Sequence, residues 1–169
     1  LPGLEDAECL ERLVLRACNG IGTIPLSEAC KNLKEMTVAW FKGSTSILNV
    51  SSLPSLKELD LASCPDLEEL PDLSGFSFLG KLNLSGCTSL RKIAFSSEFQ
   101  HLASLNLSGC EELESLDLAG LPALKHLHLG RCGKLEEILN IDKSAQIETL
   151  HVSGSKRLSR LDGLGALAS

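Results

Sequence analysis

Aromatic residues are nearly absent from this chain: five Phe, one Trp and no Tyr among 169 residues. A core built on stacked rings is therefore excluded, and the interior must be filled by aliphatic side chains, chiefly leucine. No apolar run approaches the ~20 residues that a membrane-crossing helix needs. The opening stretch LPGLEDAECLERL has neither the basic start nor the continuous apolar core of a secretion signal. There is no basic stripe either. Net charge is −6, with acids and bases interspersed, which argues against nucleic acid and against a membrane surface as partners. The phosphate-binding pattern GxxxxGK[ST] does not occur.

What is present is a repeat. The hexapeptide LNLSGC occurs at Leu82–Cys87 and again at Leu105–Cys110, and LVLRAC, LDLASC and LHLGRC end at Cys18, Cys64 and Cys132. The frame L-x-x-L-x-L-x-x-C-x-x-L-x-x-L starts at Leu10, Leu33, Leu56, Leu79, Leu102, Leu124 and Ile147, in steps of 23 residues with a single step of 22 between Leu102 and Leu124. Three places before each start stands Ala7, Cys30, Leu53, Phe76, Phe99 or Leu121, with Ser144 as the polar exception. Seven such units account for the whole of 1–169 as one domain, with no linker. Residues alternating with period two, as in Leu82-Asn83-Leu84, form a strand with one buried and one open face. Pro25 and Pro71 follow the apolar return arm and oppose a long helix there. One unit buries too little to offset the entropy of ordering it, so stability requires stacking.

Five of the seven cysteines share one place in the frame. That equivalence describes a buried small residue repeated along a stack, not bonded pairs, and it points to reduced thiols in a reducing compartment, here the cytoplasm. The site needs a small side chain whose sulfur can still interact weakly with loop backbone. Ser155 takes the place in the last unit, and Phe41 in the second, where its ring is expected to distort the turn. The N-x-S triplets at Asn49, Asn83 and Asn106 read as chance occurrences.

The phrase LxxLxLxxC/N resembles the leucine-rich repeat, over residues 7–169. That resemblance implies an α/β chain folded as a right-handed solenoid, or horseshoe, of about seven repeats. It places a concave parallel β-sheet on one side and mostly irregular or short 3-10 structure on the convex side. LDLASCPDLEELPDLSG and LNLSGCTSLRKI look most like repeats of plant intracellular nucleotide-binding immune receptors, where the region senses ligands and restrains a switch domain. Such a switch would have to lie elsewhere in a longer protein, of which this chain would be a fragment. Cysteine-ended repeats also resemble those of ubiquitin-ligase adaptors, usually a few residues longer than 23, and microbial effectors offer a related alternative.

Partner-binding residues are expected at the second, fourth, sixth and seventh places after each lead residue, which face outward from the sheet. At these places stand Arg12, Arg16, Glu35, Trp40, Glu58, Asp60, Lys81, Asn83, Asn106, His126, His128, Arg131 and His151. Trp40 is either an exposed anchor for a protein partner or a lid over Phe41. Arg12, Arg16 and Arg131 could clamp acidic groups. His126, His128 and His151 form an HxH pair with a third imidazole on the next strand, a pattern able to hold zinc. No acid–base pair accompanies the serines, and Glu111, Glu112, Glu136 and Glu137 follow the repeat on solvated arms. The chain thus reads as a non-enzymatic module without a cofactor, binding a protein on its concave face or rim. The first and last units lack polar caps, so end-to-end association is a further expectation.

Overall fold

The structure, a computed structural model, describes residues 4–18, 24, 26, 30–42, 53–70, 73, 75–95 and 99–163. Pro25, Pro71, Asn49 and the terminal stretch from Leu164 lie outside the described residues. Each repeat begins with a short strand: β1 (Arg12–Arg16), β2 (Glu35–Ala39), β3 (Glu58–Asp60), β4 (Lys81–Asn83), β5 (Ser104–Asn106), β7 (His126–His128) and β9 (Thr149–His151). These pair in parallel, in that order, as a seven-stranded main sheet. The sequence period is the register: Arg12 stands opposite Glu35, Glu58 opposite Lys81, and the 22-residue step places Ser104 opposite His126. Helix among the described residues is confined to 3-10 turns, at Leu4–Asp6, at Cys30 and at Ile141–Lys143, and none is long and apolar enough to cross a membrane.

The return arms differ from expectation in one respect. In the later coils they are not irregular. Strands β6 (Ser115–Asp117), β8 (Glu137–Leu139) and β10 (Arg160–Leu161) pair in parallel as a second sheet, in the order β6-β8-β10. A lone bridge between Glu69 and Lys92 marks the same kind of pairing earlier in the chain. The apolar places of the return arm, Leu116 and Ile138, are fully buried beneath this sheet.

Between the two arms lies one continuous leucine core. The lead residues Leu33 to Leu124, the strand residues Leu59, Leu82, Leu105 and Leu127, and the cysteines 64, 87, 110 and 132 are all buried in it. The end coils are less covered: Leu13 and Leu15 at one end, and Leu150, Val152 and Leu158 at the other, are only partly buried.

The cysteine place has a directed role. Beyond Cys18, which donates to Arg16 of its own coil, each thiol donates to a backbone carbonyl of the coil before it: Cys64 to Val38 at 3.3 Å, Cys87 to Leu61 at 3.2 Å, Cys110 to Leu84 at 3.3 Å and Cys132 to Leu107 at 3.2 Å. Ser155 does the same to Leu129 with its hydroxyl, at 2.6 Å. Cys30 and Ser144, three places before their lead residues, reach back in the same way to Leu4 and Leu118. Buried Ser144 shares its one hydroxyl hydrogen between the Leu118 and Leu121 carbonyls, the shorter contact being to Leu121 at 2.8 Å, which explains how a polar group is held in this core.

At the seventh place every coil takes a left-handed backbone, with φ of 53° at Ala17, 56° at Trp40 and Ser63, 75° at Gly86, 78° at Gly109, 60° at Arg131 and 82° at Gly154. This bend lets the seventh N–H stay in the ladder, as from Gly109 to the Gly130 carbonyl at 2.7 Å, while the following side chain turns inward. Phe41 does not distort that turn. Trp40 keeps the common φ, its N–H reaches the Ala62 carbonyl at 2.9 Å, and the Phe41 ring is taken into the core at 3% exposure. The aliphatic interior accommodates the larger ring without displacing the strand end.

Candidate functional site

The open face of the main sheet collects the expected binding residues, and most are already occupied with each other. Arg12 grips Glu35 through two contacts, Nε to Oε2 at 2.6 Å and Nη2 to Oε1 at 3.0 Å, and Lys81 meets Glu58 at 2.6 Å. Glu35 and Glu58 face one another on adjacent strands, a repulsive placement. The flanking cations relieve it: the hydrogen bond from Arg12 holds the Glu35 carboxyl below the usual carboxylate range, and Glu58 raises Lys81. Asp60, Asn83 and Asn106 turn their oxygens onto the backbone N–H two residues ahead, at 3.1, 3.1 and 3.0 Å. Asn83 also donates to Asp60 at 2.9 Å. These three side chains therefore close the strand ends before they can serve a partner.

The three histidines do not converge. The His126 ring contacts the Thr149 hydroxyl at 3.3 Å, while His128 and His151 meet each other, Nδ1 to Nδ1, at 2.9 Å with their rings tilted by 59°. Such a contact needs one Nδ1 to carry a hydrogen and donate it while the other accepts. Among the described residues no three His, Cys, Asp or Glu side chains are placed to hold a metal ion. The zinc expectation is corrected accordingly: strand register set the rings side by side, but each found a nearer hydrogen-bond partner. His128 lies below the ordinary imidazole range, first because it is partly buried, then because His151 and His126 stand beside it.

The thiols offer no reactive group at this face. Burial pushes Cys87 up to about 12, and raises Cys64, Cys110 and Cys132 as well, so they stay protonated.

An unsatisfied surface remains at the first two coils. Trp40 is 55% exposed and Val14 50% exposed, and the Arg16 guanidinium lies over the Trp40 ring at 5.6 Å from its centroid. Trp40 therefore stands out from the sheet and is not a lid over Phe41, which is buried without it. The left-handed bend at Trp40 is what aims it outward. A second aromatic feature escaped the sequence reading: Phe78, 58% exposed, stacks on His101 with centroids 5.4 Å apart. Both residues immediately precede a lead leucine, 23 residues apart, and that spacing was the available signal.

Residues 4–87 match the family model described as R13L1/DRL21 LRRs. The chain has the leucine-rich-repeat fold, and its first half matches a family of such repeats. Among solved structures, the repeat domain of the type III effector XCV3220 (XopL) is similar, with a TM-score of 0.53 and 23% identity, covering 94% of this chain and 73% of that one. Internalin C2 from Listeria monocytogenes is similar at a TM-score of 0.46 and 17% identity, covering 94% and 76% respectively. No curated protein matches the sequence. Leucine-rich-repeat domains generally bind proteins, and the likeness to XopL is one of fold.

Proposed function

We propose that this leucine-rich-repeat domain is a non-enzymatic recognition module that docks a protein on the open face of its main sheet. Its specific role, in this reading, is the ligand-sensing or autoinhibitory region of a plant intracellular disease-resistance receptor. The carrying observation is the Val14–Arg16–Trp40 patch. Tryptophan and arginine dominate binding energy where they can be desolvated together, and here they are stacked and unburied on a rigid sheet. The receptor role is supported by the cysteine-ended repeat style and is consistent with the R13L1/DRL21 match. Seven free thiols suit a reducing interior such as the cytoplasm. The regular 22- and 23-residue register is shorter than adaptor repeats usually are, which places the ligase-adaptor reading second.

The test is affinity capture from plant cell extract with the intact chain and with a Trp40→Ala, Arg16→Glu double variant. Loss of one specific interactor from the variant is expected. Identical capture profiles would remove the patch from the proposal, and a coding sequence with an F-box in place of an upstream nucleotide-binding domain would replace the receptor role.

A further inference from the structure

We propose that the hollow over Gly130 is a seat for a carboxylate side chain of the peptide segment that docks on this face, held by Arg131 and by the hydroxyls of Ser108 and Ser153. The inference rests on the recognition reading above and adds to it the chemistry of the partner.

The hollow has a volume of about 350 Å³ and is lined by Ser108, Gly109, Gly130, Arg131 and Ser153. Its floor is the missing side chain of Gly130. A Cβ there would stand 3.8 Å from the Ser108 hydroxyl on one side and 3.8 Å from the Ser153 hydroxyl on the other. Neither hydroxyl, nor the Arg131 guanidinium, is engaged by another described residue. This sets Arg131 apart from the other cations of the open face. Arg12 and Lys81 are neutralised by Glu35 and Glu58, and Arg16 lies on Trp40.

Charge complementarity points the same way. The acids of the open face, Glu35, Glu58 and Asp60, all belong to the second and third coils, while no acid stands at any open place from Ser104 to Gly154. The molecule as a whole is acidic, at −6, so the cationic character around Arg131 is local. A guanidinium offers a planar pair of N–H donors that matches a carboxylate, and two flanking hydroxyls can donate to the same oxygens. Arg131 also occupies the left-handed place that Gly86, Gly109 and Gly154 fill in other coils, so a large charged residue is kept where glycine fits with less strain.

A phage library of random dodecapeptides, panned on the intact chain, provides the probe. Enriched peptides are expected to carry Asp or Glu at one aligned place. A synthetic peptide from that set should bind about tenfold more weakly to Arg131→Gln, and to Gly130→Ala, than to the native chain. Lys156→Gln, which removes an equal charge from a solvated turn, should bind as the native chain does. Gly130→Ala keeps the fold, because its Cβ meets no atom closer than 3.4 Å and Ala39 and Ala62 already stand at the corresponding place. Enriched peptides without an aligned acid, or undiminished binding to either seat variant, would overturn the seat while leaving recognition by the face intact. An absence of any enriched peptide would overturn both.

Discussion

Replacing Cys110 tests what the repeated cysteine is for. Its side chain is fully buried between the coils of Cys87 and Cys132, and its thiol donates to the Leu84 carbonyl at 3.3 Å. Cys110→Ala deletes one sulfur's worth of burial, about 1 kcal/mol, leaves a small cavity that adds several tenths, and removes a weak donor worth about 0.5 kcal/mol. The Leu84 carbonyl is not orphaned, because it also accepts from the Cys87 N–H at 3.2 Å, so no larger penalty is added. The total is about 2 kcal/mol, or a melting temperature lower by about 4–8 °C for a chain of this length. Cys110→Ser gives up the bulk of the sulfur but keeps the donor, as Ser155 shows by reaching Leu129 at 2.6 Å. It should cost less than alanine by that one bond, about 1.5 kcal/mol against about 2. Thermal and urea unfolding followed by circular dichroism measure both. If serine proves as damaging as alanine, or more so, the place is selected for apolar volume alone and the donor argument fails.

Native-state alkylation at pH 8 should label exposed Cys9 within minutes and leave Cys87 and Cys110 unlabelled until denaturant is added, as mass spectrometry can follow; rapid labelling of Cys87 would contradict its burial. Arg131→Gly should raise stability by about 0.5–1 kcal/mol by relieving a left-handed backbone, read as a higher urea midpoint at unchanged slope. His128 is lowered in the fold, chiefly by burial, so the unfolded chain takes up that proton first. Its contribution is full above the unfolded value, about 6.5, and is lost as pH falls through the folded value. Acidification from pH 7 to 5.5 should therefore lower the melting temperature, and His128→Asn should flatten that fall; equal slopes would exclude the histidine. Ser144→Ala should cost about 1 kcal/mol, the share of one hydroxyl hydrogen, since the Leu118 and Leu121 carbonyls keep the N–H groups of Leu121 and Leu124, and a neutral result in urea would show that the hydroxyl contributes nothing.

The solenoid itself was legible because a period of 23 is a statement about neighbours. Counting from Leu10 predicts that Arg12 meets Glu35 and that His128 meets His151, and the short step from Leu102 to Leu124 reappears as the offset between Ser104 and His126. The period says nothing of where a side chain then points. Asp60 and Asn106 face outward by register, yet a short polar group beside a free N–H closes on it first, a local choice that the spacing does not record. His126, by contrast, meets Thr149, the residue that register sets opposite it. The second sheet went unseen because strands as short as Arg160–Leu161 show no alternation to detect. Phe41 was misjudged by treating the cysteine place as a slot of fixed size, whereas the neighbouring aliphatic side chains admit the ring at 3% exposure.

All of the reaching thiols and hydroxyls point toward the amino-terminal neighbour, none toward the carboxyl-terminal one. Fraying is therefore asymmetric. A coil that peels from the late end takes its own donor with it and leaves behind a carbonyl such as that of Leu84, which still has Cys87 to bond. A coil that peels from the early end strands the next sulfur without an acceptor. Melting that starts at the late end meets less resistance per coil, so hydrogen exchange should spread through this stack in one preferred direction.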